Sequence, residues 1–206
     1  MTGIIDYGVG NLFSLCSSFA FIGEEAIVSS DEAVLSSCDR IILPGVGAFA
    51  DAAEKLRSTG LDKFVHFCAS SKKPLLGICL GMQLLFDKSF EYGEHEGLSL
   101  IKGEVVPIEP DVPKELKIPQ IGWNALIFPD DKEKSPLFKY INNGDYVYFV
   151  HSYYAKHCEE SLIASTEYGA MLTAAVSNGT VFGTQFHPEK SGDVGLSILR
   201  AFCEMK

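Results

Sequence analysis

The sequence has 206 residues, 47% of them hydrophobic, and a formal net charge of −10. That apolar share supports a folded core and argues against disorder, while the acidic balance, with no cluster of Lys and Arg, argues against nucleic-acid binding. No basic stretch at the N-terminus leads into a long apolar run, and no apolar run nears the ~20 residues of a membrane span. Neither a secretory leader nor a membrane segment is therefore expected. The six cysteines, Cys16, Cys38, Cys68, Cys79, Cys158 and Cys203, are scattered and show no CxxC spacing. This pattern points to a reducing, cytoplasmic setting and to no metal site or cofactor.

In chain order, "TGIID" reads as a short buried strand. The stretch Asn11–Phe21 has helical spacing, with Asn11 as its N-cap. "EAIVS" and "RIILPG" are the second and third strands, the latter ended by Pro44 and Gly45. Helical stretches at Ala48–Ser58 and Leu61–Ser71 follow, then a fourth strand "PLLGI" running into a helix at "LGMQLLF". Such alternation predicts a parallel sheet flanked by helices. In the second half, "GEVVPIE", "WNALIF", "DYVYFVHSYY" and "LIASTEY" read as strands. Asn178-Gly179 between two apolar runs is a hairpin signal, and a last helix spans Val194–Glu204. With no repeat, low-complexity segment or linker, the expectation is one domain over residues 1–206. Its fold class is α/β, with a mostly parallel central sheet and an antiparallel extension.

The run "PLLGICLGMQ" places Cys79 between Gly77 and Gly81 where a strand turns into a helix. Gly77-x-Cys79-x-Gly81 is the thiol form of a nucleophile elbow, in which a sharp turn exposes the nucleophile and brings backbones together. A helix N-terminus there favours a thiolate, and the Leu80 amide faces a developing oxyanion. By itself the pattern fits a buried cysteine in a glycine-rich turn equally well. A nucleophilic cysteine needs a base, and the base an orienter. "TQFHPEKS" offers His187 and Glu189 around Pro188, which biases His187 toward extended backbone, so that the two side chains share a face. Taken alone, "HPE" is better explained as a surface turn with His187 a satisfied polar residue. His66, His95 and His157 compete poorly as bases, and His151 in "YFVHSYY" could line a pocket but lacks an obvious orienter. The segment "LPGVGAF" ends the third strand on the same sheet edge. There Gly45 and Gly47 leave the peptides around Val46 free to rotate and offer an amide to the oxyanion.

Taken together, "IDYGVGNL", "LPGVGAF", "LGICLGMQLLF", "IGWN", "YFVHSYY" and "QFHPEKS" closely resemble the class I (triad-type) glutamine amidotransferases, in the expected order and over nearly the whole length. The resemblance is strongest to the branch that works with a cyclase subunit. One departure is "IPQI" before "GWN", where that branch often has a His-Met pair. The resemblance implies hydrolysis of L-glutamine to glutamate and ammonia through a cysteine thioester, with Cys79, His187 and Glu189 as the triad. It implies that Gly47, Gln83, Glu91, Ser152 and Tyr153 hold glutamine. It further implies a heterodimeric partner, a (β/α)8-barrel cyclase that uses the ammonia to make imidazole glycerol phosphate and an aminoimidazole carboxamide ribotide in histidine biosynthesis. Trp123 is then an interface anchor, with Asn11, Tyr148 and Lys190 as weaker interface residues. It also suggests that the Val46 peptide rests turned away from the oxyanion until partner and acceptor bind.

Three other readings compete. A cysteine α/β-hydrolase shares G-x-C-x-G but places its acid before its histidine, the reverse of the order here. A glutaminase subunit could supply ammonia to a different synthetase. A non-enzymatic regulatory subunit is disfavoured by the intact triad residues.

Overall fold

The structure is a computed structural model and describes residues 1–205. The first half builds strands and helices in strict succession: β1 (Thr2–Ile5), α1 (Leu12–Phe21), β2 (Ala26–Ser29), α2 (Glu32–Ser36), β3 (Arg40–Leu43), α3 (Phe49–Ser58), α4 (Leu61–Ser70), β4 (Leu75–Ile78) and α5 (Leu80–Leu84). The second half is mostly strands: β5 (Lys88–Ser89), β6 (His95–Glu96), β7 (Glu104–Pro107), β8 (Gln120–Ala125), β9 (Tyr146–His151), β10 (Tyr153–Lys156), β11 (Leu162–Glu167), β12 (Met171–Asn178) and β13 (Val181–Thr184). Helix α6 (Gly192–Cys203) closes the described chain.

Seven strands form the main sheet in the order β11-β12-β13-β4-β3-β1-β2. The five from β13 to β2 run parallel, and β12 and β11 add antiparallel to that edge. This is the mostly parallel sheet with an antiparallel extension that the sequence predicts. Strands β1, β3, β4 and β13 are buried at every position. That is why they read as continuous apolar runs rather than alternating ones. Successive side chains still part to opposite faces. Ile5, Ile41, Leu43 and Leu75 pack with Phe49, Leu56, Phe64 and Val65 of α3 and α4. Ile4, Ile42, Leu76 and Ile78 pack with Leu15, Phe19, Ile198 and Phe202 of α1 and α6.

Several local expectations shift. Helix α2, a single turn capped by Asp31 accepting from the Ala33 amide, is too short to show a period and was not anticipated. Asn11 occupies the N-cap position of α1, but its side chain makes no capping bond. The hairpin loop is Gly179-Thr180, because Asn178 still pairs with Val181, and Gly179 takes the positive φ of 60°. The strand expected at "WNALIF" begins earlier, directly after Pro119, and ends at Ala125.

The largest difference lies in "DYVYFVHSYY", which is two strands, not one. Strand β9 pairs with β8 in a two-stranded ribbon, whereas β10 leaves to pair with β7 in a separate four-stranded sheet. The break falls at Ser152, whose carbonyl accepts from the Ile108 amide at 2.9 Å. Among the described residues, no helix is long and apolar enough to cross a membrane.

Candidate active site

Strands β13, β4 and β3 are neighbours, and all three deliver their carboxyl ends to one edge. Ligands of open α/β sheets gather there. Cys79 follows β4. His187 and Glu189 follow β13, whose Thr184 pairs with Ile78 in register. Pro44, Gly45, Val46 and Gly47 follow β3. Residues more than a hundred positions apart in sequence thus meet because parallel strands in register end together.

The glycines around Cys79 are dictated by backbone contact. A Cβ on Gly77 would lie 2.7 Å from the Gly81 carbonyl oxygen, and one on Gly45 would lie 2.5 Å from the Gly81 amide nitrogen. A Cβ on Gly81 would overlap the Leu43 carbonyl oxygen. The ends of β3 and β4 and the first turn of α5 are therefore pressed together at these glycines. Cys79 itself sits at φ 54°, ψ −112°, a conformation that side-chain-bearing residues rarely adopt, with its amide donating to the Thr184 carbonyl at 2.7 Å. Leu80 is the first residue of α5, so its amide has no acceptor within the helix.

His187 and Glu189 are buried, and His187 Nδ1 lies 2.8 Å from Glu189 Oε1. An Nδ1–H donating to that carboxylate leaves Nε2 for the cavity. Burial works to lower the imidazole pKa. Interaction with the Cys79 sulfur and the hydrogen bond to Glu189 outweigh it and push it up to about 9. Besides His187, Sγ has the Gln185 side-chain amide, donating at 3.7 Å, and the Val150 carbonyl oxygen at 4.0 Å within reach.

A cavity of about 430 Å³ opens beside Cys79 and His187. Gly47, Gln83, Glu91, Ser152 and Tyr153, expected to hold glutamine, and Val46 and Leu80, expected at the oxyanion, all line it. Gly45 does not line it; its place is the contact with Leu80 and Gly81. Glu91 also accepts from the amide of Phe49, the first residue of α3, at 2.5 Å, which ties the cavity to the end of the Pro44–Ala48 loop. That loop is anchored at its other end, where the buried Tyr7 hydroxyl donates to the Pro44 carbonyl at 2.7 Å. Among the described residues, no group of three His, Cys, Asp or Glu is placed to hold a metal ion.

His151, which the sequence allows to line a pocket, does line this one, its Nε2 2.9 Å from Gln120 Oε1 and its Nδ1 2.8 Å from the Tyr153 carbonyl. Burial, assisted by the nearby charge of His187 and opposed by the Tyr153 bond, lowers its pKa to about 4. It is a neutral wall of the cavity. Gln185, entirely buried beside the sulfur, drew no notice at all.

Of the residues expected at an interface, Trp123 and Tyr148 come together across the ribbon, ring centroids 6.0 Å apart and edge to face. Trp123 is half-exposed, and Lys190 is exposed just beyond Glu189. Asn11 stays at the head of α1, partly exposed.

The fold is a mostly parallel sheet with Cys79 at a strand-to-helix elbow and His187 and Glu189 on the segment after the adjacent strand, and the class it belongs to is the amidotransferases. The family model described as glutamine amidotransferase class-I matches residues 4–205, and the chain belongs to that family. Among its curated relatives, the imidazole glycerol phosphate synthase subunit HisH of Caldanaerobacter subterraneus subsp. tengcongensis is 50% identical over 206 residues, covering 100% of this chain and 98% of that protein. The HisH of Bacillus subtilis is 47% identical over 208 residues, covering 100% and 96%. Solved structures share the fold at lower identity. A crystal structure of a glutamine amidotransferase superposes with a TM-score of 0.73 at 18% identity, covering 98% of both chains. PurLQS from Thermotoga maritima gives 0.73 at 18%, covering 98% of this chain and 96% of that one.

Proposed function

We propose that the whole chain, as one amidotransferase domain, is the glutaminase subunit of an imidazole glycerol phosphate synthase. It hydrolyses L-glutamine and passes the ammonia to a (β/α)8-barrel cyclase partner. The single observation that carries this is the meeting of Cys79 and His187 at one cavity at the ends of adjacent strands, with Glu189 behind His187 on its Nδ1. Its support from relatives is the near-complete coverage at about half identity to HisH subunits.

In this mechanism His187 takes the proton of the Cys79 thiol, and the sulfur attacks the side-chain carboxamide carbon of glutamine. Glu189 fixes the imidazole and stabilises its charged form. The tetrahedral oxyanion is met by the free Leu80 amide and by a peptide of the Gly45–Gly47 loop. His187 returns its proton to the leaving nitrogen, ammonia departs, and a γ-glutamyl thioester remains. Water, deprotonated by His187, attacks that thioester, and glutamate leaves as the thiol re-forms. Glu91 carries the negative charge suited to the substrate's ammonium, and Gln83, Ser152 and Tyr153 supply polar contacts around it.

The ammonia must leave on the side where the partner sits. The ribbon offers a face for it. Ile121 and Trp123 of β8 and Tyr146 of β9 are exposed large apolar side chains, with Tyr148 beside them, whereas Val147, Phe149 and His151 turn inward. Exposed aromatic side chains of this kind anchor protein interfaces. Lys190 and Asn11 extend the same reading.

The test mixes the chain with a barrel cyclase and its ribonucleotide acceptor, and measures glutamate release and cyclase turnover. Wild type is expected to drive the cyclase with glutamine. Cys79→Ala is expected to lose glutamate release by at least ~10³-fold while added ammonium still supports the cyclase. Glutamate release that survives Cys79→Ala would remove the thioester mechanism.

A further inference from the structure

Beside the sulfur lies a relay of amide groups whose direction is fixed from one end. The Tyr153 main-chain carbonyl can only accept. It faces Gln83 Nε2 at 3.1 Å, so that end of Gln83 is the NH2 group. The same Nε2 lies 3.0 Å from Gln185, which must therefore present its oxygen to Gln83. The remaining end of Gln185, its Nε2, points at Cys79 Sγ, 3.7 Å away. Turning Gln185 over would set NH2 against NH2, and turning Gln83 over as well would set oxygen against the Tyr153 carbonyl. Gln185 is fully buried, so water cannot relieve a clash on its side.

The geometry points to Gln185 as an unassigned catalytic residue that presents a permanent N–H to the Cys79 sulfur and favours thiolate over thiol, with Gln83 acting through it as a positioning residue. This rests on the reading of Cys79 as the nucleophile. A donor that cannot reverse helps the charged form of the sulfur, a strong acceptor, more than the thiol, a weak one, whose hydrogen has the Val150 carbonyl at 4.0 Å as its own acceptor. The donor also works from the side opposite to proton transfer. It leaves His187 free to carry the proton, because Gln185 has none to give up near neutral pH.

Other groups bear on the same sulfur. His187 faces it from the segment after β13, held by Glu189. Tyr7 approaches from the segment after β1, its hydroxyl committed to Pro44 and pushed to high pKa by burial and by the sulfur's charge. His151 from β9 and Glu91 from the segment after β5 share the cavity. All of these side chains are still present when Gln185 is replaced, so a shift in the profile between variants reports on the group at position 185.

The experiment is the pH profile of Cys79 alkylation by iodoacetamide in the absence of glutamine, followed by mass spectrometry of the Cys79 peptide. Gln185→Met removes the donor, and the profile should move up by about one pH unit, with alkylation at pH 7 about tenfold slower. Gln185→Glu keeps the size and the bond from Gln83 but turns an acceptor toward the sulfur. It should shift the profile further, and it provides the measurement if the Met variant does not fold. Gln83→Leu, which frees Gln185 to turn over without touching the sulfur, should give a smaller shift in the same direction. A role in packing alone would lower thermal stability and leave the profile unmoved. Superimposable profiles for wild type, Gln185→Met and Gln185→Glu would overturn the proposal while leaving the nucleophile in place. A wild-type Cys79 that reacts no faster than the other five thiols would overturn both.

Discussion

The elbow after β4 and the β8–β9 ribbon border the same cavity and are built on opposite principles. At the elbow nothing is spare: Gly45, Gly77 and Gly81 touch backbone atoms of neighbouring strand ends, and Cys79 holds a rare conformation because everything around it is fixed. The ribbon is one sheet-layer thin. Its inner face buries Gln120 and His151 in polar contacts, and its outer face leaves Ile121, Trp123 and Tyr146 in the open. Chemistry is positioned by close backbone packing, whereas recognition is carried by side chains with little behind them. Substitutions of the elbow glycines should therefore break the fold and the reaction together. Those on the outer face of the ribbon should separate the two.

Gly81→Ala is the severest break on the elbow side. Its Cβ would overlap the Leu43 carbonyl, and neither strand end can retreat, because Gly45 already packs on Leu80 and Gly81. A cost of at least about 4 kcal/mol is expected, a large share of a typical domain's stability. Urea unfolding, or loss of soluble protein, would register it. An alanine variant within about 1 kcal/mol of wild type would show that the elbow is not tightly packed.

The buried side of the ribbon can be tested through pH. The pKa of His151 is about 4 in the fold and near 6.5 when exposed, so the unfolded chain binds the extra proton between those values. Its contribution is fully present above pH 6.5 and is lost as pH falls toward 4, on the order of 3 kcal/mol in total. The difference in acid-induced destabilisation between wild type and His151→Gln, followed by urea unfolding from pH 7 to pH 4, isolates this one group. Parallel curves for the two proteins would mean that His151 is protonated inside the fold.

Much of this was legible in the sequence, and the gaps have physical causes. The parallel core could be read because strands buried on both faces are continuous apolar runs. The elbow could be read because Gly77 and Gly81 mark close backbone approach. The split at Ser152 could not, since "DYVYFVHSYY" is one unbroken β-prone run and only the choice of partner strands divides it. Strand neighbours are likewise a tertiary fact: nothing local says that β13 lies beside β4. Gln185 was within reach. It lies two residues before His187 on the extended stretch after β13, so the alternation of an extended chain sets the two on one face. Glu189 reaches His187 from the 3-10 turn Pro188–Lys190 and not by that period. Gln185 was missed because a glutamine carries no titratable signal, and its role depends on Gln83 and Tyr153 fixing its direction.

On the outer face of the ribbon, Trp123→Ala should act on association and spare the fold. The ring is half-exposed and leans on Tyr148 edge to face. Its removal should change the stability of the isolated chain by less than about 1 kcal/mol, but weaken binding to a barrel cyclase by about 2 kcal/mol, roughly thirtyfold. Titration calorimetry on the purified pair measures the second effect and thermal unfolding the first. Loss of both together would mean that the ribbon is as tightly packed as the elbow.

The smallest effect returns to Cys79 and has an unusual sign. Replacing glycine by alanine normally stabilises a folded chain, because alanine has less freedom to lose. At φ 54°, ψ −112° the order should reverse, since a Cβ there is strained and glycine is not. Cys79→Ala and Cys79→Gly both lose the sulfur and both abolish glutaminase activity, so function cannot blur the comparison. Gly81 and Thr184 hold the backbone in the same place in either variant. The glycine variant should be the more stable by about 1 kcal/mol in denaturant unfolding, the strain relieved exceeding the added chain entropy. If alanine proves the more stable, the backbone at residue 79 carries no strain, and the elbow exposes its thiol by geometry alone.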